Sequence, residues 1–347
     1  MIKAVRDTKL IVAGKTVAVV LAFFVLVCSC AGPPHPRAAT AVKRAVTARP
    51  VASLPSQAAV IGSAGYYRVG QRQVTFVEPA HVGSAGQYLG SRVLVTGIWY
   101  PQAQRSAGSR AATGPFPLIM FAPGFMQCGS PYSDLLRAWA SAGYVVAVVN
   151  FPRTDCRVGA SAYEPDLVNQ PADMSYVLSR LLALNAQPHD VFSGLLNRYQ
   201  IAAAGQSDGG DTVAALAANT CCTDHRLKGV AVLSGAEWPP MPGRYFVNEA
   251  PPMMFVQGSA DTINPPWTSV QLYRADSTPG RYYLDLFGAN HMIPYIGTNP
   301  VEQLVARVTV AFFDRYVLGQ AGALAAITRD GNVSGTAALV SGGQLPP

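Results

Sequence analysis

The chain has 347 residues, of which 50% are hydrophobic and 13% are charged, and its formal net charge is +7. Residues 1–29 carry a net charge of +3 and residues 30–58 a net charge of +4, so residues 59–347 are close to neutral. The basic balance therefore belongs to the N-terminal segments, which argues against a nucleic-acid partner for the rest of the chain.

The first 30 residues have the pattern of an export signal. Four basic residues between positions 3 and 15 precede an apolar run from Thr16 to Val27. That run is shorter than the roughly 20 residues that span a bilayer, but it has the length of a signal-peptide hydrophobic region. It ends in Val27-Cys28-Ser29-Cys30, which resembles a bacterial lipobox. We therefore predict an N-terminal lipid anchor on Cys30.

Two other interpretations of this leader stay open. One is a plain secretory signal cleaved near Ala38-Ala39, and the other is an uncleaved anchor, which Lys15 disfavours because it interrupts the apolar stretch. All three place the protein outside the cytoplasm. We expect a lipoprotein at the outer face of the cytoplasmic membrane, with secretion as the alternative. Residues 31–58 are rich in Ala, Pro and Arg and predict a flexible tether, whose positive charge favours anionic lipid headgroups.

Residues 59–347 alternate between apolar runs of strand length and segments with helical periodicity, which predicts one α/β domain. Continuous Val, Ile, Leu and Ala in the runs indicate a mainly parallel sheet covered by helices. The expected strands are Arg92 to Trp99, Leu118 to Phe121, Tyr144 to Val149, Ile201 to Ala204, Val230 to Leu233, Met253 to Val256 and Tyr282 to Leu286. The expected helices are Tyr132 to Ala142, Asn169 to Leu184, Asp211 to Ala218, Pro266 to Ala275 and Val301 to Leu318. The tail from Gly319 is weakly patterned and is expected to pack loosely, and we expect a monomer.

One pentapeptide, Gly205-Gln206-Ser207-Asp208-Gly209, has the G-x-S-x-G form of a nucleophile elbow. A short apolar run precedes it and a helix-forming segment follows it, which is the context that such an elbow requires. The sequence therefore predicts Ser207 as a nucleophile. The alternative is an ordinary Gly-rich connection between a strand and a helix.

An acid and a histidine are expected after later strands, in that order. Asp261 follows the strand that begins at Met253, and His291 follows the strand that begins at Tyr282. Both positions fall at the carboxyl ends of parallel strands, where ligands bind in open α/β sheets. Glu237 is the rival acid, and Asp261 has the alternative role of capping the helix near Pro265-Pro266. His291 has the alternative role of a hydrogen-bonded loop histidine.

These residue types together indicate acyl transfer. A neutral imidazole takes the proton of the serine hydroxyl, and the carboxylate fixes the imidazole tautomer. The oxyanion of the tetrahedral intermediate needs fixed donors, and one is expected to be the backbone N–H of Asp208 at the start of a helix. The other is expected in the loop after the strand at Leu118. Pro123 in that loop has no N–H, so Phe125 is the predicted donor.

The cysteines agree with an exported protein. Cys128 and Cys156 each follow one of two neighbouring strands, and we predict a disulfide between them. Cys221 and Cys222 are adjacent, and the sequence leaves open whether they form a vicinal disulfide or stay reduced. No zinc-ligand spacing surrounds these residues, and we expect neither a metal nor a cofactor.

Several spaced motifs occur in the order typical of a known superfamily. They are Gly65 to Gly70, Ile98 to Pro101, Pro115 to Phe125, Asn169 to Met174, the elbow, and the loops with Asp261 and His291. On these motifs the chain resembles the α/β-hydrolase superfamily over nearly all of residues 60–320. More narrowly, it is similar to bacterial esterases related to platelet-activating-factor acetylhydrolase, dienelactone hydrolase and the cutinase-like polyesterases.

The resemblance implies an α/β-hydrolase fold with Ser207 as nucleophile, His291 as general base and Asp261 as orienter. It also implies that Phe125 and Trp238 flank the scissile ester, although packing in the core or a lid is the alternative for Trp238. The connection from Ala236 to Ala250 is short, so we expect no large lid. Asp208 departs from the methionine that polyesterases usually have after the nucleophile, and its charge is expected to disfavour anionic substrates.

We therefore expect a serine-dependent hydrolase of carboxylic esters that forms an acyl-enzyme intermediate. Its expected substrate is a neutral or lipophilic small-molecule or lipid ester. An acyltransferase on the same triad is the first alternative, because both activities share the acylation step. A non-catalytic surface lipoprotein that uses the fold for binding is the second.

Overall fold

The computed structural model describes residues 67–102, 112–343 and 345. The predicted leader with Cys30 and the predicted tether lie outside the described residues. None of the helices in the described ranges combines the length and the apolar character that crossing a bilayer requires.

The described chain contains one large sheet and a separate two-stranded ribbon. The strands of the large sheet are β1 (Arg68–Glu78), β4 (Arg92–Gln102), β5 (Phe116–Ala122), β6 (Val145–Asn150), β7 (Leu196–Gln206), β8 (Leu227–Leu233), β9 (Met253–Gly258), β10 (Tyr282–Leu286) and β11 (Ala337–Ser341). The ribbon pairs β2 (His81–Val82) with β3 (Tyr88–Leu89). In the large sheet the order is β1-β4-β6-β5-β7-β8-β9-β10-β11.

Six central strands, which lie in the order β6-β5-β7-β8-β9-β10, run parallel. The outer strands β1, β4 and β11 join the sheet by antiparallel pairing. Helices cover both faces. They are α1 (Ser133–Ser141), α2 (Gln170–Asn185), α3 (Asp208–Ala218), α4 (Pro266–Ala275), α5 (Pro300–Tyr316) and α6 (Ala323–Gly331). This mainly parallel sheet between helical layers confirms the predicted α/β-hydrolase fold.

Strand β5 shows why its sequence forms a central strand. All seven of its residues are buried. Leu118 and Met120 face the core beneath α2, α3 and α4, whereas Ile119 and Phe121 face the core beneath α1, α5 and α6. Successive side chains of a strand point to opposite faces, so a strand with helices on both sides is apolar at every position.

The expectation of a loosely packed tail after Gly319 is wrong. Residues 323–331 form α6, and β11 pairs with β10 in a register that places Leu339 opposite Leu284. Ile327 of α6 is fully buried in the same core as α5. The apolar residues of this segment are too few, and its elements too short, to give a clear periodic pattern. They suffice to form a helix and a strand once α5 and β10 supply the surfaces against which these pack.

The strand order creates a crevice at one edge of the sheet. After β5 the chain adds β6 on one side of it and then crosses to add β7 on the other side. In open parallel sheets such a reversal leaves a ligand-binding crevice outside the carboxyl ends of the strands. The β8–β9 connection, residues 234–252, contains no helix within the described chain, in keeping with the predicted absence of a large lid.

Candidate active site

Ser207 lies in a sharp turn between β7 and α3. Its backbone has φ 57° and ψ −126°, a conformation that costs energy for a residue with a side chain. The turn is closed by two glycines: a Cβ on Gly205 would lie 2.0 Å from the carbonyl oxygen of Gly209, and a Cβ on Gly209 would lie 1.9 Å from that of Ala122. Only glycine fits at both positions, so this is the geometry expected of a nucleophile elbow rather than of an ordinary loop.

The three residues predicted as a triad lie together at this edge of the sheet. The Nε2 atom of His291 is 2.9 Å from the Oγ atom of Ser207, and its Nδ1 atom is 2.7 Å from Oδ2 of Asp261. His291 and Asp261 are 6% and 3% exposed, respectively. The serine hydroxyl, imidazole and carboxylate therefore form one continuous hydrogen-bonded chain that is largely shielded from water.

Asp261 is held by four hydrogen-bond donors. Its Oδ1 accepts from the backbone N–H groups of Ile263 and Asn264 at 2.9 and 3.0 Å. Its Oδ2 accepts from Gln257 at 3.0 Å as well as from His291. Asp261 thus shapes the turn before α4 with one oxygen and orients the imidazole with the other. The two interpretations of this residue, turn former and histidine partner, are compatible.

Glu237, the rival acid, lies elsewhere. Its carboxylate accepts a 3.4 Å hydrogen bond from Gln271 on α4, and none of the described hydrogen bonds or ion pairs joins it to His291. Burial raises the pKa of Glu237 above its ordinary value. The acid beside the imidazole is therefore Asp261.

Two further side chains contact the histidine or support it, and sequence reasoning did not identify either of them. Gln206 donates through Nε2 to the backbone carbonyl of His291 at 3.0 Å and lies 3.2 Å from the ring Nε2. The hydroxyl of Tyr132 donates to Oε1 of Gln206 at 2.7 Å and accepts from the N–H of Gly124 at 3.3 Å. Because the amide nitrogen of Gln206 only donates, it fits a neutral imidazole whose Nε2 carries the lone pair.

The loop after β5 runs directly beside the serine. A Cβ on Gly124 would lie 3.2 Å from the Cβ of Ser207, so the two backbones are in close contact. The N–H of Gly124 donates to the hydroxyl of Tyr132. None of the described hydrogen bonds uses the N–H of Phe125, and none joins the N–H of Asp208 to another residue. These two N–H groups are the pair that the sequence indicated for the oxyanion.

The loop after β5 is also tied to the loop after β6. A disulfide joins Cys128 to Cys156, with Cα atoms 5.3 Å apart. Beside it, the N–H of Met126 donates to the carbonyl of Thr154 at 2.7 Å. The adjacent Cys221 and Cys222 are bonded to each other, which answers the question that the sequence left open.

Asp208, directly after Ser207, is a buried acid. Its pKa is raised to about 7, first by burial and then by the charge of Glu164, against the lowering effect of its own backbone N–H. Its Oδ2 atom has no hydrogen-bond partner in the described chain. Asp211, one turn later on α3, has a pKa raised well above its ordinary value by burial, although its carboxylate accepts from the N–H of Ala236 at 2.5 Å.

Trp238 lines a cavity of about 450 Å³. The same side chain packs against a small apolar cluster that includes Met241 and Ala215 of α3. Ser207, His291 and Phe125 are not among the residues that line this cavity. The predicted contact of Trp238 with an ester therefore stays a prediction.

Within the described ranges, no group of three or more His, Cys, Asp or Glu side chains is arranged to hold a metal ion.

Comparison with known families gives a match to part of the chain. The model of the chlorophyllase family, an esterase family of the α/β-hydrolase type, matches residues 107–256, which is less than half of the chain. The matched range includes the loop of Phe125 and the elbow of Ser207, and it ends before Asp261 and His291. A comparison with curated proteins gives no match. The family match and the sheet together indicate an ester hydrolase of the α/β-hydrolase type.

Proposed function

We propose that the protein is a serine hydrolase of carboxylic esters, with Ser207 as nucleophile, His291 as general base and Asp261 as the residue that orients His291. The observation that carries this proposal is the pair of hydrogen bonds on the imidazole, 2.9 Å to Ser207 and 2.7 Å to Asp261. Catalytic triads are recognised by this geometry rather than by sequence position.

In the acylation step, Oγ of Ser207 attacks the ester carbonyl carbon while Nε2 of His291 takes the hydroxyl proton. The carbonyl oxygen becomes an oxyanion, and the N–H groups of Phe125 and Asp208 are the proposed donors to it. When the tetrahedral intermediate collapses, the ester C–O bond breaks and the alcohol leaves with the proton from Nε2. Throughout, Asp261 stabilises the imidazolium through Nδ1–H without taking its proton.

In the deacylation step, water donates a proton to Nε2 and attacks the acyl-enzyme, which releases the acid and restores Ser207. An acceptor alcohol in place of that water would make the protein an acyltransferase, and acylation would be unchanged. Nothing in the site favours this second activity. The binding-module alternative would be preferred if Ser207 and His291 were too far apart to share a proton, and their separation of 2.9 Å speaks against it.

Several finer points belong to the same proposal. The substrate is a neutral or lipophilic ester, and the narrower resemblance to the acetylhydrolase, dienelactone hydrolase and cutinase-like group stays a prediction. The name of the matching family gives a pigment ester as one substrate to include in an activity series. We further propose that the protein is exported, anchored through Cys30 and active as a monomer at the outer face of the cytoplasmic membrane.

The test is hydrolysis of p-nitrophenyl esters by the wild type and by Ser207→Ala. We expect the substitution to lower kcat by at least about 10³-fold, because the residual rate then depends on binding and the oxyanion donors alone. Ser234→Ala is the matched control. Ser234 also ends a central strand with positive φ, but its hydroxyl contacts Tyr295 at 2.9 Å rather than His291. The proposal predicts that hydrolysis is lost in Ser207→Ala and kept in Ser234→Ala. The reverse result, with hydrolysis kept in Ser207→Ala and lost in Ser234→Ala, would contradict it.

A further inference from the structure

A buried glutamine lies directly behind the acid of the triad. Gln257 is the last residue but one of β9, and it is completely buried. Its Nε2 atom is 3.0 Å from Oδ2 of Asp261, 3.0 Å from the carbonyl oxygen of Asn264 and 3.3 Å from that of Gly258. Because a backbone carbonyl can only accept, the amide nitrogen faces this side and donates to Asp261.

The other end of this amide is held from helix α4. Ser269 is also completely buried, and its Oγ atom is 2.7 Å from Oε1 of Gln257 and 2.9 Å from the carbonyl oxygen of Gly235. Donation to Oε1 gives one hydrogen-bonded chain that runs from Ser269 through Gln257 and Asp261 to the imidazole of His291. The amide is bonded at both ends, so it has little freedom to turn away from the carboxylate.

The backbones of the acid and the histidine are fixed against each other. A Cβ on Gly258 would lie 2.4 Å from the carbonyl oxygen of Ala289, in the loop that carries the histidine. What remains free is the rotation of the Asp261 carboxylate about its own side-chain bonds. Within the described chain, Gln257 is the one side chain other than His291 that bonds this carboxylate. It is therefore placed to set the direction in which Oδ2 points.

We propose that Gln257 is a positioning residue of the esterase, which keeps Asp261 charged and turned toward the Nδ1–H of His291. This inference rests on the proposed function. A hydrogen bond donated to a carboxylate favours its charged form, and an amide does not titrate, so Gln257 cannot pass a proton to Asp261 when the imidazolium forms. The imidazole is then held with its proton on Nδ1 and its lone pair on Nε2, the form that takes the proton of Ser207.

Titratable side chains also lie on the elements that surround Gln257. They are Glu237 after β8, Tyr273 and Arg274 of α4, Asp285 of β10, and His291 and Tyr295 after β10. Among these groups, the described hydrogen bonds and ion pairs join only His291 to Asp261 and none to Gln257. Burial raises the pKa of Asp285, which stands opposite Gln257 in the register, and of Tyr295. All of them are common to the wild type and its variants, so a comparison at one pH isolates the change at position 257.

The first variant, Gln257→Met, removes the donor and keeps a side chain of similar length. We expect kcat for p-nitrophenyl esters to fall by about 10–100-fold, because a hydrogen bond to a charged group is lost. KM should change little, because Gln257 is buried behind Asp261. The matched control is Gln170→Met, whose kcat should stay close to that of the wild type. Gln170 is 1% exposed and bonds the hydroxyls of Thr154 and Thr212 at 2.8 and 2.6 Å, away from the triad.

The second variant, Gln257→Glu, has an outcome that a packing role does not predict. Two carboxyl groups about 3 Å apart cannot both be charged, so they share one proton. The other three donors to Asp261 favour its charge, which leaves the proton on the new carboxyl group, where it donates as the amide does. We therefore expect kcat close to the wild-type value at about pH 6. Relative to the wild type, kcat should fall at least about tenfold by about pH 9, because the shared proton is lost and the two charges repel each other.

The outcomes separate this inference from the proposed function. If the wild type does not hydrolyse p-nitrophenyl esters, the esterase proposal fails, and this inference fails with it. If the wild type is active but the ratio of kcat in Gln257→Glu to kcat in the wild type is the same at every pH, the esterase proposal stands and the role of Gln257 is overturned. The same holds if Gln257→Met costs no more activity than Gln170→Met. Should neither Gln257 variant fold, Ser269→Ala decides: a reduced kcat with unchanged KM supports the role, and a wild-type kcat overturns it.

Discussion

The atom on which the proposed chemistry depends is Nε2 of His291, and two side chains compete for it. Ser207 lies 2.9 Å away and Gln206 lies 3.2 Å away. The amide of Gln206 can only donate at this atom, so it stabilises the neutral imidazole and opposes the imidazolium. Gln206 is therefore a positioning residue that holds the imidazole of His291, and the hydroxyl of Tyr132 holds the amide of Gln206 in place.

The substitution Gln206→Glu tests this role. A carboxylate at this position would accept from a protonated Nε2 and favour the charged ring, so higher pH is needed to obtain the neutral base. We expect the acid side of the kcat/KM profile to move up by about 1–3 pH units. Gln206→Met, which removes the donor without adding charge, should move it in the same direction by less. If kcat/KM falls but the position of its pH profile is unchanged, Gln206 contributes only to the packing of the site.

The sequence predicts Ser207, Asp261 and His291 because each has a local signal. Ser207 lies between two glycines at the end of an apolar run, and the other two follow strands in the expected order. Gln206 and Tyr132 have no such signal. Their hydrogen bond joins residues 74 positions apart, the residue before α1 and the last residue of β7. Contacts of this kind depend on tertiary structure that no local pattern encodes.

At the scale of elements, the central strands and β4 were predictable, whereas the edge strands β1 and β11 were not. Strands β5 and β10 are apolar because helices cover both faces, and their observed positions agree with the expected ones to within two residues. Strand β1 has the sequence Arg-Val-Gly-Gln-Arg-Gln-Val-Thr-Phe-Val-Glu, and seven of its residues are polar or glycine. An edge strand needs few apolar residues, because its partner β4 supplies the register by hydrogen bonding.

The disulfide between the loops after β5 and β6 is expected to stabilise the protein. It joins residues 28 positions apart, and the double substitution Cys128→Ser with Cys156→Ser frees that loop in the unfolded chain. We expect the free energy of unfolding in denaturant to fall by about 3–4 kcal/mol. The control is Cys221→Ser with Cys222→Ser, because adjacent cysteines close almost no loop. Equal losses in the two double variants would contradict this explanation.

At the scale of the whole molecule, the sheet brings distant parts of the chain to one edge. The loop after β5, the elbow after β7, the acid after β9 and the histidine after β10 all follow the carboxyl ends of parallel strands.

A separate cluster of ion pairs stabilises strand β4, outside the parallel part of the sheet. Arg92 at the start of β4 forms ion pairs at 2.7 and 2.6 Å with Asp166 and Asp173, all of them buried. Removing one partner of such a cluster leaves an uncompensated charge, so the cluster fixes β4 against α2.

The most direct test of the central claim is to identify the residue that a fluorophosphonate modifies. Intact-mass and peptide mass spectrometry of the full chain should show one adduct per molecule, on the peptide that contains Ser207, because that is the one hydroxyl among the described residues that is hydrogen-bonded to His291. Labelling should be lost in His291→Ala, where the serine lacks its base. An adduct on another residue, or labelling of Ser207 that proceeds at the same rate without His291, would contradict the account.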